Sequence, residues 1–213
     1  TEDFAYAGVN PCAEEPLPAG GSCLLGSVNL AEFVQNPFTD TAFFDFDSFK
    51  KCVQASVNAL NEVLEEGLPL HPLEEQRKSV EKWRQIGLGI MGLADALIKL
   101  GITYGDAEAV EMCDKIGFAM ADTAIETSAL LAKEEGAFPR CNVEEIMETP
   151  YFLHNTTERT RELVQKYGLR NSQLLTIAPT GTLSTMLGIS GGIEPIYANY
   201  YERKTESLHG SDV

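Results

Sequence analysis

Three segments of the chain carry apolar residues at steps of three or four positions, the spacing that places them on one buried face of a helix. The first segment covers residues 47–66, and the helix that it predicts ends near Gly67. Its apolar positions are Phe49, Val53, Val57, Leu60 and Leu64.

Two further helices are predicted before Gly101 and before Gly136, since glycine commonly ends a helix. The apolar positions of the second helix are Trp83, Ile86, Ile90, Leu93 and Leu97. Those of the third helix are Cys113, Ile116, Met120, Ala124 and Leu131. This pattern places Cys113 in the core.

Two short segments have the character of buried strands. Residues 27–30 and 174–178 are apolar or β-branched, and Gly, Pro or polar residues bound them. Together with the helices they predict an α/β fold in which helices dominate. The chain shows no internal repeat, low-complexity tract or linker, so residues 1–213 are predicted to form a single, partial domain.

Composition and charge limit the possible functions. The chain has 44% hydrophobic and 23% charged residues, as globular proteins do, and its formal net charge of −16 argues against binding a nucleic-acid polymer or an anionic membrane. No run approaches the roughly 20 apolar residues of a membrane helix, and residues 1–4 do not resemble a signal peptide, so a cytoplasmic protein is expected. The first residue is not methionine, and the most distinctive motif lies near the start, so we expect a segment of a longer protein.

Cysteine usage indicates reduced thiols, because the number is odd and the chain is long enough to fold without disulfides. The five cysteines are Cys12, Cys23, Cys52, Cys113 and Cys141. No C-x-x-C pair occurs, and His71, His154 and His209 are scattered, so no metal site is predicted.

An amide, a thiol and a carboxylate alternate in the motif Asn10-Pro11-Cys12-Ala13-Glu14. In an extended backbone alternate side chains project to one side, so all three can face one small ligand. Pro11 and Pro16 remove backbone donors and favour a rigid loop over a central strand. The alternative interpretation is a surface turn with an incidental cysteine.

Cys23 is a second candidate for chemistry. It follows Cys12 by eleven residues and precedes the segment that runs into the first predicted strand. A second thiol near the first suggests redox chemistry, and the alternative is a small buried hydrophobic residue.

The turn after the second predicted strand is a candidate phosphate site. Its residues are Pro179, Thr180, Gly181, Thr182, Leu183 and Ser184. Free backbone amides and the helix dipole at the start of a helix attract anions, and the hydroxyls of Thr180, Thr182 and Ser184 add donors. A plain strand-to-helix turn capped by a threonine has the same sequence character.

Gly87, Gly89 and Gly92 match the G-x-G-x-x-G dinucleotide fingerprint. The preceding residues, 78–85, have helical character, so the strand-to-helix turn that binds a pyrophosphate is not predicted. Glycines that allow close helix packing are the favoured interpretation.

Four blocks of the sequence, in order, resemble the large, catalytic chain of ribonucleotide reductases. They are N-P-C-A-E at residues 10–14, C-L-L-G-S-V-N-L at 23–30, R-Q-I-G-L-G-I-M-G at 84–92, and A-P-T-G-T through G-I-E-P-I at 178–196. The similarity extends from Asn10 to Arg203 and is greatest to the adenosylcobalamin-dependent (class II) branch, although metal-radical large chains are similar here. The resemblance implies part of a ten-stranded α/β barrel, with a central finger loop at about residues 8–18.

The resemblance also implies radical-based reduction of ribonucleotides to deoxyribonucleotides. Cys12 would be the thiyl radical that takes hydrogen from the ribose 3′ carbon, and Glu14 would be the general base for the 3′ hydroxyl. Asn10 would hold the ribose hydroxyls, and Cys23 would be one thiol of a reducing pair. The turn at 179–184 would bind the substrate phosphates. Cys52, Cys113 and Cys141 match no functional position of the family.

Cofactors and partners follow from the same resemblance. The expected substrate is a ribonucleoside di- or triphosphate, and the radical source is adenosylcobalamin, bound outside this segment, or a radical-generating metal subunit. A thioredoxin-like reductant would act through C-terminal cysteines that this segment lacks, as it lacks the second reducing cysteine, so the segment alone is expected to be inactive. A homodimer is a further expectation.

Two competing interpretations are a segment of a related glycyl-radical enzyme and a non-catalytic helical binding module. An enzyme requires Asn10, Cys12 and Glu14 to converge in one cavity with the turn at Thr180, whereas a binding module does not.

Overall fold

The computed structural model describes residues 5–202. Residues 1–4, Arg203 and His209, which entered the sequence interpretation, lie outside the described residues. The described chain begins with an antiparallel hairpin of β1 (Tyr6–Val9) and β2 (Pro16–Pro18), in which Val9 is opposite Pro16. Residues 10–15 therefore form the loop of this hairpin.

A small parallel sheet lies at the centre of the described chain. β3 (Leu25–Asn29) is followed by the short antiparallel pair β4 (Val34–Gln35) and β5 (Phe43–Phe44), and β3 itself pairs in parallel with β6 (Gly87–Met91). Residues 173–176 run parallel along β6, where Leu88 N–H donates to the Leu174 carbonyl at 2.8 Å. Both predicted strand segments thus pair with β6.

Eight α-helices surround these strands within residues 5–202. They are α1 (Phe46–Gly67), α2 (Glu74–Trp83), α3 (Leu93–Leu100), α4 (Ala107–Glu135), α5 (Val143–Glu148), α6 (Pro150–His154), α7 (Glu158–Tyr167) and α8 (Gly181–Leu187). The first and third predicted helices are confirmed as α1 and α4, which pack against each other. Cys113 packs against the core, as the helical pattern predicted.

The second predicted helix is wrong, because a strand interrupts it. The segment contains the end of α2, then β6, and then α3. All five residues of β6 are buried. A strand covered on both faces is a continuous apolar run, and such a run satisfies helical spacing as easily as strand spacing.

The glycines of this segment allow close packing of strands and not of helices. A Cβ on Gly89 would lie 2.3 Å from the Thr176 carbonyl oxygen, and one on Gly87 would lie 2.6 Å from the Thr176 methyl. Gly87 N–H donates to the Leu24 carbonyl and Gly92 N–H to the Ser190 carbonyl, each at 2.8 Å. These two amides are therefore not free to bind a pyrophosphate.

The predicted α/β class with dominant helices is confirmed, and a closed barrel is not formed by the described part of the chain. Its sheets are three two-stranded pairs, one of them extended by residues 173–176. Ten strands are therefore not confirmed. No helix within residues 5–202 has the length and apolar character needed to span a membrane.

Candidate functional site

The loop at residues 10–15 is closed by its own hydrogen bonds. Asn10 N–H donates to the Glu15 carbonyl at 3.1 Å, and Ala13 N–H donates to the Asn10 carbonyl at 2.9 Å. Ala13 has a φ of +64°, in the left-handed region. The segment is therefore a tight loop and not a strand, as the two prolines predicted.

The three alternating side chains of the loop differ in their exposure. Asn10 is buried, Cys12 is exposed at the tip, and Glu14 is half-buried and faces a cavity. The left-handed residue between Cys12 and Glu14 breaks the alternation that an extended backbone would give. The convergence of Asn10, Cys12 and Glu14 on one ligand therefore stays a prediction.

Asn10 instead connects the loop to the second thiol. Its side-chain oxygen accepts a hydrogen bond from Glu15 N–H at 2.9 Å, and its amide nitrogen donates to the Cys23 sulfur at 3.5 Å. Cys23 is exposed, so the alternative of a small buried hydrophobic residue does not describe it. Two of the predicted site residues are therefore in direct contact.

Glu15 is a further residue of this site that the sequence analysis missed. It is only 2% exposed, and neither carboxylate oxygen has a hydrogen-bond partner among the described residues. No periodicity marks this position, because its burial depends on the docking of the hairpin against residues distant in sequence. The only local signal is a second carboxylate directly after Glu14.

Glu15 and Cys23 shift each other's pKa, although they do not adopt the geometry of a regular hydrogen bond. Burial raises the pKa of Glu15, and the interaction with the Cys23 thiol opposes this rise. Partial burial of Cys23, followed by its interaction with Glu15, raises the pKa of the thiol to about 12. Cys23 is therefore a protonated thiol at neutral pH.

Polar contacts fix the hairpin to the extended segment beside β6. The Thr176 hydroxyl donates to the Glu14 carbonyl at 2.7 Å, and the Gln173 amide donates to the Pro16 carbonyl at 3.1 Å. The Gln85 amide in turn donates to the side-chain oxygen of Gln173. None of these three positioning residues was predicted from the sequence.

A cavity of about 400 Å³ lies between the hairpin loop, residues 171–176 and the helices α4 to α6. This volume is within the range of small-molecule sites. Buried oxygens of Glu14, Glu15 and Ser172 have no hydrogen-bond partner among the described residues, and all three residues line this cavity. Asn10, Cys12 and the turn at 179–184 do not line it.

The turn at 179–184 begins α8 with a left-handed residue, Thr180, whose φ is +51°. Within residues 5–202, the backbone amides of Gly181, Thr182 and Leu183 donate no hydrogen bond. The Thr180 hydroxyl accepts from Gly192 N–H at 3.0 Å, and the buried Ser184 hydroxyl contacts the Gly181 carbonyl at 3.5 Å. The free donors of the turn are therefore mainly backbone amides.

The turn lies close in sequence to the residue that anchors the loop. Thr176 binds the Glu14 carbonyl and precedes Thr180 by four residues. Thr176 and Thr180 therefore lie within about 14 Å of each other even if the backbone between them is fully extended. Within the described residues no three His, Cys, Asp or Glu side chains form a set of metal ligands.

Comparison with known proteins identifies relatives of the chain. Residues 7–211 match the profile of a family described as "Ribonucleotide reductase, barrel domain". A vitamin B12-dependent ribonucleoside-diphosphate reductase of Thermoplasma acidophilum is 37% identical, and the match covers 96% of this chain and 23% of that protein. The alpha subunit of a ribonucleoside-diphosphate reductase of Chlamydia pneumoniae is 33% identical over 93% of this chain and 21% of that protein.

A solved structure supports the fold. The alpha subunit of the class Id ribonucleotide reductase of Actinobacillus ureae superposes with a TM-score of 0.70 at 24% sequence identity, over 94% of this chain and 34% of that one. The chain thus spans about a quarter of the length of the two curated relatives.

Proposed function

Because the chain belongs to the family of ribonucleotide reductase barrel domains, we propose that it is part of the catalytic barrel of an enzyme that reduces ribonucleotides to deoxyribonucleotides. The observation that carries this proposal is the exposed Cys12 thiol at the tip of a hairpin loop, with the exposed Cys23 held at the base of the same loop by Asn10. The rest of the barrel, including the remaining strands of a ten-stranded wall, would come from other parts of a longer protein.

In this proposal Cys12 acts as a thiyl radical. The sulfur takes a hydrogen atom from the ribose 3′ carbon, so an S–H bond forms as the C–H bond breaks. The exposed position of Cys12 supports this role, because a substrate can reach the sulfur without unfolding the loop. Its side chain is not part of the core, so no other contact has to change during the reaction.

Glu14 is the proposed general base for the 3′ hydroxyl proton. Its backbone is fixed by the Thr176 hydroxyl, and one buried carboxylate oxygen has no partner among the described residues. That oxygen is able to accept a proton without first breaking a hydrogen bond.

Asn10 is the proposed contact for the ribose hydroxyls. Its oxygen and its nitrogen are both engaged, and the side chain is 7% exposed. The second amide hydrogen of Asn10 remains for a ribose hydroxyl, and using it requires the loop to open. Its contact with Cys23 fits the proposed role of Cys23 as one thiol of the reducing pair.

The turn at 179–184 is the proposed site for the substrate phosphates. Three backbone amides that donate no hydrogen bond within residues 5–202, at Gly181, Thr182 and Leu183, support this role. The exposed Thr182 hydroxyl can also donate to a phosphate, and so can the Thr180 hydroxyl, which only accepts from Gly192 N–H, whereas the Ser184 hydroxyl faces the Gly181 carbonyl.

Adenosylcobalamin is the proposed radical source, since the Thermoplasma relative is named as vitamin B12-dependent, and a radical-generating metal subunit is the alternative. When bound, the cofactor would supply the radical that removes the hydrogen atom from the Cys12 thiol. The cavity of about 400 Å³ beside the loop has the size of an ordinary small-molecule site and is not lined by Cys12, so it does not fit a corrin ring next to that sulfur, and the cofactor is proposed to bind outside this segment.

The proposed partners are a ribonucleoside di- or triphosphate as substrate, a thioredoxin-like reductant, and a second copy of the chain in a homodimer. A diphosphate is favoured, because both curated relatives are named as ribonucleoside-diphosphate reductases.

The test of the proposed function is Cys12→Ala in the complete protein. We expect deoxynucleotide formation to fall to background, because no radical can form at residue 12, while the melting temperature stays unchanged, because an exposed side chain is lost. The matched control is Cys52→Ala, which removes a thiol of α1 and should retain turnover. Turnover by purified Cys12→Ala, with wild-type contamination excluded, would contradict the assignment.

A second test addresses Cys23. In Cys23→Ser the radical on Cys12 can still form, but the reducing pair cannot deliver its two electrons, so product formation should stop within a single turnover. Product is measured by rapid quench after one equivalent of substrate. A wild-type single-turnover yield would show that Cys23 has only a structural role.

A further inference from the structure

Glu15 is the most deeply buried carboxylate of the described chain that no ion pair or hydrogen bond satisfies. Its side chain is 2% exposed, and both oxygens lack a partner among residues 5–202. An unpaired buried carboxylate is strongly unfavourable unless it is protonated. The proposed roles of Asn10, Cys12, Cys23 and Glu14 do not use it.

The neighbour of Glu15 is the Cys23 thiol. Asn10 holds the two residues together, because its oxygen accepts Glu15 N–H at 2.9 Å and its nitrogen donates to the Cys23 sulfur at 3.5 Å. The loop that contains Glu15 is itself held by Thr176 and Gln173. One amide therefore contacts both the Glu15 backbone and the Cys23 sulfur, in a loop that is anchored to residues 173–176.

We propose that Glu15 is a positioning residue that keeps the exposed Cys23 in its protonated thiol form. A carboxylate beside the sulfur repels the negative charge of a thiolate, and Asn10 ties the Glu15 backbone to the sulfur. A thiol is able to give up a hydrogen atom, whereas the thiolate is the form that attacks electrophiles and disulfides. Glu15 thus protects a surface cysteine from adventitious oxidation and exchange.

The charges around Cys23 support this assignment. Glu15 and Glu14 are the titratable groups that act on the thiol within the described residues, and both raise its pKa, whereas Asn10 lowers it. β6 and residues 173–176, which pack beside this region, carry no charged side chain. Within residues 5–202 no cation acts on this sulfur to offset the carboxylates.

The inference deepens the proposed redox role of Cys23 and rests on that role for its biological meaning. Its test, however, requires no turnover. Failure of the single-turnover experiment with Cys23→Ser would remove the redox role, whereas an ordinary thiol pKa at Cys23 would remove the inference.

The experiment measures the alkylation of individual cysteines by iodoacetamide in the complete protein, from about pH 7 to about pH 10, with peptide mass spectrometry. The proteins compared are wild type, Glu15→Gln and Glu108→Gln. The last variant removes one exposed carboxylate of α4 and is matched in charge. Cys12 reports general reactivity in every sample, and the partly buried Cys113 and Cys141 report whether the fold is intact.

In the wild type, the alkylation rate of Cys23 should still rise at the upper end of this range, without a plateau. In Glu15→Gln the midpoint of the Cys23 alkylation rate against pH should fall by at least about one pH unit. At a fixed pH near 8, the alkylation rate of Cys23 should then rise about three- to fourfold for each unit by which its pKa falls. Each unit makes the thiolate population tenfold larger, and the weaker nucleophilicity of the less basic thiolate partly offsets this gain. Cys12, Cys113 and Cys141 should react as in the wild type.

Identical Cys23 profiles in wild type and Glu15→Gln would overturn the proposal, as would an equal shift in Glu108→Gln. Fast alkylation of Cys113 and Cys141 would show that Glu15→Gln has unfolded. In that case the pH profile of Cys23 in the wild type is the test, and a midpoint near the ordinary thiol pKa of 9.0 overturns the proposal.

Discussion

Asn10 shows how one side chain determines the arrangement of a whole loop. It closes the loop through Glu15 N–H and holds Cys23 through its amide nitrogen. The loop tip then projects Cys12 outwards, while Glu14 and Glu15 turn towards the protein. The chemistry of the loop therefore depends on an amide that touches both of its redox candidates.

Glu15 leads to a prediction at this scale about stability and pH. Burial raises its pKa in the folded protein above the unfolded value of 4.5, so the folded state binds the proton more tightly. The stability from this proton is fully present below the unfolded pKa and is lost as pH rises through the folded pKa. The wild type loses this stability as pH rises, and Glu15→Gln does not. The unfolding free energy of Glu15→Gln minus that of the wild type should therefore be larger near neutral pH than at about pH 4.

Urea unfolding at both pH values measures this difference. Glu108→Gln is again the control, because its exposed carboxylate has no burial to relieve. A stability difference between Glu15→Gln and wild type that does not change with pH would mean that Glu15 is solvated in solution.

At the scale of the elements, β6 is packed so closely against its neighbours that its glycine positions have no room for a side chain. It lies between β3 and residues 173–176, and its two glycines face Thr176 at distances that exclude a Cβ. The same Thr176 binds the Glu14 carbonyl. The close approach of two strands therefore places the residue that anchors the candidate loop.

This packing predicts the effect of adding one methyl group to β6. Gly89→Ala would place Cβ 2.3 Å from the Thr176 carbonyl oxygen, so the extended segment must move and the protein should lose at least about 2 kcal/mol of unfolding free energy. The matched control is Gly117→Ala in α4, where no atom lies within 4 Å of the new Cβ. It should gain about 0.5–1 kcal/mol from helix propensity.

Thermal and urea unfolding of the two glycine variants measure these changes. Equal stability of Gly89→Ala and wild type would show that residues 173–176 do not pack on β6 in solution.

At the scale of the whole molecule, a buried polar network joins elements that are far apart in sequence. The fully buried Asn171 donates to Asn61 on α1 and to the Arg84 carbonyl, each at 2.9 Å. It also accepts hydrogen bonds from Asn61 and from Ser128 on α4. The network thus connects the helix pair to the segment that leads into residues 173–176.

Asn171→Ala should destabilise the protein by at least about 3 kcal/mol, because several buried polar groups lose their partners at once. Asn155→Ala is the control, since within residues 5–202 the Asn155 side chain donates one hydrogen bond, to the Tyr151 carbonyl at its own helix end, and its loss should change stability by less than about 1 kcal/mol. Urea unfolding at constant pH compares the two. A small loss for Asn171→Ala would indicate that water replaces its contacts.

The sequence by itself determined the features that depend on local spacing. The helices α1 and α4 follow from apolar residues at three- and four-residue steps, because one face of each packs against the core. Pro11 and Pro16 predicted a loop at residues 10–15, and the order of four motif blocks indicated the family. Each of these signals lies within a few neighbouring residues.

Only the tertiary structure decided the position of β6, the burial of Glu15 and the different exposure of Asn10, Cys12 and Glu14. A central strand buried on both faces has no distinctive period, so its apolar residues were assigned to a helix. The direction of the loop side chains depends on one left-handed residue, Ala13, and on a hydrogen bond between Thr176 and Glu14. Contacts between residues so distant in sequence form only when the chain is folded, and no local pattern encodes them.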